Sequence, residues 1–251
     1  MLPEIAVEEL AAALDDVASD LLLAADVDGP PVDAFRVAEA LGIDVAWDDF
    51  QPGRARLVAL DENRRAPRTS VLLRRDPRGE RRHWALAHEI GEAAAHRVFA
   101  RLGVDPREAP PAAREDVANR LAGRLLLPTR WLREAALQCG WDIAALKRRF
   151  AHASHELIAR RMLELEVPVI ITVFDECRVT WRRSNVPGRV PRLSALETRC
   201  QRQVHESGEA AVLEEAGSVV QGWPVHEEDW RREILRMEVS ADDEEWGGNM
   251  Q

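Results

Sequence analysis

A chain of 251 residues is long enough to bury a sizeable core and divides most naturally into one large or two modest domains. Its hydrophobic share of 46% includes no apolar run near the ~18 residues of a membrane span and no charged-then-apolar leader, so a soluble cytoplasmic protein without a membrane partner is expected. A net charge of -10 excludes broad polyanion binding, and Cys139, Cys177 and Cys200, odd in number and without a C-x-x-C, exclude a disulfide framework or a thiolate zinc site.

In chain order, VEELAAALDDVASDLLLA carries apolar residues at helical spacing and predicts an amphipathic helix that DGPP ends. VDAFRVAEALG predicts a second helix with Gly42 at its carboxyl end. IDVAW, RARLVAL and TSVLLRR are short, rich in Val and Leu and separated by turn residues, which predicts a small sheet built mainly of hairpins. From Arg81 the helical period returns and holds to about Glu166, with breaks at Gly103, DPREAPP, Pro128 and Gly140. VPVIITVFDE and CRVTWRRSN predict strands, LSALETRCQRQVHESG a helix, and WPVHEEDWRREILRMEV a packed element. The tail ADDEEWGGNMQ reads as mobile and acidic.

The chemistry concentrates in HWALAHEIGEAAAH, residues 83–96. An H-E pair alone carries little information, because His88, His155, His205 and His226 are all followed by glutamate, and H-E-x-x-E occurs twice, from His88 and from His205. Context separates the copies. Helical projection of the first puts Trp84, Ala87, Gly91, Ala95, Val98 and Leu102 on one stripe, with His88 and Glu92 at its border and Glu89 and His96 just beyond. The second holds Ser207 and Gly208, lacks such a stripe and reads as a solvated surface. Residues four apart on a helix lie about 6 Å apart on one side, so His88 and Glu92 can reach one metal ion while Glu89 leans toward it as general base. A third ligand must come from elsewhere. In REDVANRLAGRLLLP, projection places Glu115 and Asn119 beside Ala118, Ala122 and Leu126, with Asp116, Arg120 and Arg124 pointing away. A carboxylate on that face needs a partner, either a metal or an arginine.

These motifs, in the order small sheet, RRHWALAHEIGEAAAH, E-x-x-A-N-R-L-A-x-x-L-L-L-P, Ser-containing turn and ELIARRML, resemble the ImmA/IrrE metallopeptidases, a zincin-like family of bacterial regulators. The resemblance covers roughly residues 30–165. It implies an α+β zincin-like domain, placed over residues 1–127; the helical period, strand patterns and composition beyond it divide the rest into a helix-turn-helix-like segment over 128–167, a small α+β carboxyl-terminal domain over 168–239 and the tail 240–251. It also implies that His88 and Glu115 match metal ligands, Glu89 the general base, and Glu92 the position of the family's second histidine. The substrate class it implies is a helix-turn-helix repressor whose cleavage releases genes induced by stress.

Carboxylate in place of imidazole changes the ligand charge from -1 to -2, so Zn²⁺ would be formally neutralised and a weaker Lewis acid. Bound water would then keep a pKa nearer ~9 than ~7. An oxygen-rich set also tolerates a harder ion such as Mn²⁺. His96 lies about 12 Å along the axis from His88, too far to share an ion. TSVLLRR, just before the site helix, is open to two readings: by analogy with zincin-like folds, an edge strand that could pair with an extended peptide, or an ordinary buried strand with Arg74 and Arg75 solvated at its end.

Two further readings stay open. A scaffold impaired at Glu92 would bind a regulator without cleaving it. Three short helices around Gly140 and Ala153, with seven Lys or Arg against three acids between Arg130 and Arg161, would suit docking on DNA, docking on a repressor, or a solvated basic face. Near the carboxyl terminus, Trp223, Pro224, His226 and Trp230 read as packing, and His226 with Glu227 as a surface pair or, less simply, a metal site.

Overall fold

A computed structural model describes residues 5–60 and 68–239. The expected acidic tail lies outside the described residues. Helices and strands are both abundant, as an α+β chain requires. No described helix is long and apolar enough to cross a membrane. The described residues group into two compact units: those up to 138 with 147–154, and 139–146 with 155–239. The helical stretch 128–167 is divided between them.

In the first unit, α1 (Val7–Ala24) buries Leu14, Val17, Leu21 and Leu22, the face its sequence spacing predicts. Asp33 caps α2 (Ala34–Ala40) by accepting from the Phe35 N–H at 2.8 Å, and Gly42, at φ 68°, turns the chain out of it. The three short strands β1 (Asp44–Trp47), β2 (Ala55–Leu60) and β3 (Arg68–Leu73) form one sheet in the order β1-β3-β2. Only β2 and β3 make an antiparallel pair, whereas β1 runs parallel to β3. The expectation of a sheet made mainly of hairpins is therefore corrected. So is the placing of TSVLLRR at an edge: β3 is central, with both sides of its backbone committed to neighbours, so it cannot add an extended peptide.

Two long helices follow, α3 (Gly79–Arg101) and α4 (Pro111–Leu126), the second opening on a proline whose missing N–H costs nothing there. Their contact is set by Gly91. A Cβ at that position would stand 2.6 Å from the Ala118 carbonyl oxygen, so only glycine permits this backbone approach. Helix α4 also meets α1, where Arg124, 3% exposed, pairs with Asp15 at 3.1 Å. Projection pointed Arg124 away from the core. It does point away from α3, but a second neighbour covers that face. Arg97 and Arg101 reach Asp20 of α1 at 3.1 and 2.7 Å, a second tie between the helices. Helix α5 (Thr129–Gln138) completes this unit together with residues 147–154.

The second unit contains α6 (Ile143–Arg149) up to Leu146, α7 (His155–Met162) and a five-stranded antiparallel sheet in the order β5-β4-β8-β7-β6. Its strands are β4 (Val169–Asp175), β5 (Arg178–Ser184), β6 (Ala211–Glu215), β7 (Ser218–Glu227) and β8 (Trp230–Glu238). The aromatic segment WPVHEEDW runs from the second half of β7 through the hairpin turn at Glu228 and Asp229 to the first residue of β8, with Trp223 buried and its indole N–H donating to Asp142 at 2.8 Å. Helix α8 (Ala195–Ser207) opens on a capping box of Ser194 and Glu197 and closes on Gly208 in the left-handed region. It covers one sheet face through Leu196, Cys200 and Val204, packed on Ile170, Phe174, Val220, Leu235 and Met237. A bidentate pair between Arg182 of β5 and Glu197 of α8, at 2.6 and 3.1 Å, is almost wholly buried.

Candidate metal centre

Helix α3 carries His88, Glu89 and Glu92, and α4 carries Glu115 and Asn119, facing one another across the Gly91–Ala118 contact. The interleaving explains the juxtaposition. Gly91 lies between His88 and Glu92, Ala118 between Glu115 and Asn119, so the closest backbone approach occurs within one helical turn of all four polar side chains. The Nε2 atom of His88 stands 3.7 Å from a carboxylate oxygen of Glu92 and 3.7 Å from one of Glu115. All three donor atoms lie within 4.8 Å of one another. Ligands around a tetrahedral ion at about 2.0–2.2 Å stand about 3.4 Å apart, so small side-chain movements would bring these three onto one cation.

Asn119 organises the group. Its amide nitrogen donates to Glu115 at 2.9 Å, and its Oδ1 lies 3.2 Å from Nδ1 of His88. A carboxylate only accepts, so the amide NH₂ must face Glu115 and the oxygen must face the imidazole. An imidazole proton then sits on Nδ1, which leaves Nε2, on the side of the two carboxylates, as the nitrogen that would ligate a metal. The sequence had placed Asn119 on the right face without assigning it a part. Its i, i+4 spacing from Glu115 was the available signal.

Burial differs from the sequence expectation at two positions. Glu115 was expected against an apolar face, yet its side chain is 55% exposed and that of Glu92 43%. Glu115 does face α3, but its carboxylate stays open to water, so direction was legible and depth was not. Glu89, by contrast, is 6% exposed. Its desolvation, and then the Glu92 charge, push its carboxyl above the ordinary 4.5, against the pull of His88 and of the Leu57 backbone N–H of β2. His96 is exposed and turns its Nδ1 onto the Ala93 carbonyl at 2.8 Å, away from this cluster.

Of the second H-E-x-x-E, residues 206–209 are exposed as expected, but His205 turns inward. Nδ1 of His205 lies 2.8 Å from Glu233, whose side chain is fully buried, and His226 also pairs with Glu233 rather than with Glu227.

An α+β unit whose long helix carries H-E-x-x-E, packed on a second helix that adds a glutamate, fits the zincin-like class. A family model, the IrrE N-terminal-like domain of Peptidase_M78, matches residues 38–163, and the chain belongs to that family. Among solved structures it is similar to a Mycobacterium tuberculosis transcriptional regulator, with a TM-score of 0.63 and 18% identity over 89% of this chain and 74% of that one. That likeness is one of fold. No curated protein matches.

Proposed function

We propose that the first unit is a metal-dependent endopeptidase that cleaves a helix-turn-helix transcriptional repressor and so releases the genes it silences. His88, Glu92 and Glu115 would hold Zn²⁺, with Mn²⁺ tolerated by the oxygen-rich set. When bound, the ion supplies Lewis acidity toward a peptide carbonyl. The observation that carries the reading is the arrangement around His88: two carboxylates at 3.7 Å from Nε2, and an asparagine that accepts from Nδ1 on the other side of the ring.

Glu89 takes the proton from the attacking water and passes it to the leaving amine. Burial suits it to this work, since a carboxyl raised above its usual range is a stronger base when ionised and a ready acid when protonated. The Leu57 N–H orients that carboxyl and ties β2, an edge of its sheet, to the site. An extended substrate segment would pair there, in place of the central β3.

One observation favours a second reading. Glu92 and Glu115 are open enough to water to exist as solvated acids, as a scaffold without cleavage activity would allow. For DNA docking the support is thinner, because much of the basic segment is already paired: Arg130 with Glu134 at 3.0 Å, Arg160 with Glu156 and Arg161 with Glu164 at 2.5 Å.

The deciding experiment combines metal analysis of the purified chain with cleavage of a repressor encoded beside its gene. The endopeptidase reading expects about one ion lost in His88→Ala, and cleavage abolished in Glu89→Gln with metal retained. Absence of metal together with cleavage unaffected by Glu89→Gln would overturn it. A mobility shift at two salt concentrations tests DNA docking.

A further inference from the structure

We infer that His205, His226 and Glu233 form a second cation site, in the carboxyl-terminal unit, of the type that takes Zn²⁺ and similar divalent transition metals. The face of the sheet beneath α8 is apolar along most of its length: Val220 and Gly222 on β7, Leu235 and Met237 on β8. Strand alternation puts His226 and Glu233 on that same face, at the end under the last turn of α8, where His205 projects. Three elements therefore each bring one potential ligand to one point. Nδ1 of His205 and Nε2 of His226 both lie 2.8 Å from the same oxygen, Oε1 of Glu233. Gln201, one turn before His205, donates to the other oxygen at 3.2 Å and orients the carboxylate.

Charge compensation favours an ion here. The Glu233 side chain is 0% exposed, and its hydrogen-bond and ion-pair contacts among the described residues come from an amide and two imidazoles, with none from Lys or Arg. A carboxylate out of water without a cation is costly, and a divalent ion supplies the missing charge. Two imidazoles and one carboxylate are also a donor set suited to zinc-type ions, unlike the oxygen-only sets of calcium or magnesium. The imidazoles, 24% and 20% exposed, line the side open to solvent, so an ion can enter between them. Binding at about 2.0–2.2 Å needs the nitrogens to draw back from Oε1 by about half an ångström, a small movement at the ends of two side chains. The bound ion would tie the end of α8 to the β7–β8 hairpin.

The alternative is a hydrogen-bonded cluster in which each imidazole keeps its proton and donates to Glu233. Conservative variants separate the two. His226→Gln and His205→Asn place an amide N–H where each imidazole nitrogen stood, so they keep a donor to Glu233 and remove a zinc ligand. The full chain carrying His88→Ala, which disables the first centre, is stripped of metal and titrated with Zn²⁺ alone, with stoichiometry read by elemental analysis after gel filtration. The inference expects about one equivalent in this parent, and at least a tenfold weaker affinity when either His226→Gln or His205→Asn is added, with far-UV circular dichroism unchanged. A parent that binds none, or folded variants that still bind one equivalent as tightly, would overturn it. If both variants fail to fold, imidazole nitrogen NMR of the parent decides: signals of His205 and His226 that shift with one equivalent of Zn²⁺ support the site, and signals that stay fixed refute it.

Discussion

Replacing Gly91 with alanine tests whether the contact between α3 and α4 positions the metal centre. On an isolated helix the change stabilises by about 1 kcal/mol, because alanine loses less backbone freedom than glycine. Here the new methyl would stand 2.6 Å from the Ala118 oxygen and 3.3 Å from its Cα and carbonyl carbon. Ordinary contact begins near 3.4 Å, so the helices must separate locally by about 0.8 Å, and the obstacle is backbone that cannot swing aside. Overpacking of this kind costs about 1–3 kcal/mol, more where backbone is the obstacle, which outweighs the propensity gain and leaves a net loss of about 1–2 kcal/mol. For a unit of this size that lowers the melting temperature by about 2–8 °C. The same displacement carries His88 and Glu92 away from Glu115, so zinc affinity falls along with stability. Calorimetry of the metal-stripped chain, followed by zinc titration, reads both. A melting temperature equal to or above the parent's would show that the helices yield freely and that the approach at Gly91 does not set the site.

Asn119→Ala keeps a good helix former on α4 but releases His88 and Glu115 from their shared partner, so metal affinity is expected to fall about 10- to 100-fold with little change in melting temperature; equal affinity in a zinc titration would dismiss its orienting part. Glu89→Gln should stabilise the metal-free chain at pH 7. The folded pKa of Glu89 lies above its unfolded value, so its burial penalty is absent below about 4.5 and complete above the folded pKa. Urea unfolding at pH 7 and pH 4 should therefore show the gain disappearing at the acid end, and a gain that grew there would contradict the burial argument. Arg182→Met strands the Glu197 carboxylate inside the second unit and should cost about 3–5 kcal/mol, read as loss of the unit's unfolding transition at ordinary temperature; a loss below about 1 kcal/mol would mean that water reaches the pair.

What the sequence disclosed follows from which interactions are local. The apolar stripe of α3, the i, i+4 relation of His88 and Glu92, and the shared face of Glu115 and Asn119 all derive from a single helical period, and the structure brings those side chains together. Depth was not legible. Projection cannot tell how deep a face lies, so Glu115 was expected in a dry place, nor that α1 also meets α4, so Arg124 was placed outside. Strand order was hidden for a related reason. The parallel pairing of β1 with β3 joins residues 26 positions apart, such as Asp44 and Ser70, and no short-range pattern records it. His205 shows the limit most sharply. The apolar stripe of α8, Leu196, Cys200 and Val204, runs up to it and was not recognised, and the partner that draws it inward, Glu233, stands 28 residues later on a strand.

Electrostatics around Glu92 connect the departure from the histidine motif to the behaviour of the base. In the metal-free cluster the Glu92 charge is the second cause, after burial, that raises the carboxyl of Glu89, with Glu115 adding a smaller push. A cation held by His88, Glu92 and Glu115 would offset the same two charges, so occupancy and the ionisation of Glu89 are linked: the ion favours the deprotonated base, and deprotonation favours the ion. The two effects of carboxylate at position 92 then oppose each other. It holds a cation more tightly through charge, and it lowers that cation's Lewis acidity. Glu92→His reverses both, giving weaker zinc retention but a pH profile of cleavage whose acid limb lies lower, since one negative neighbour of Glu89 is gone. Tighter zinc binding in that variant, or an acid limb moved upward, would mean that charge at position 92 does not govern the site.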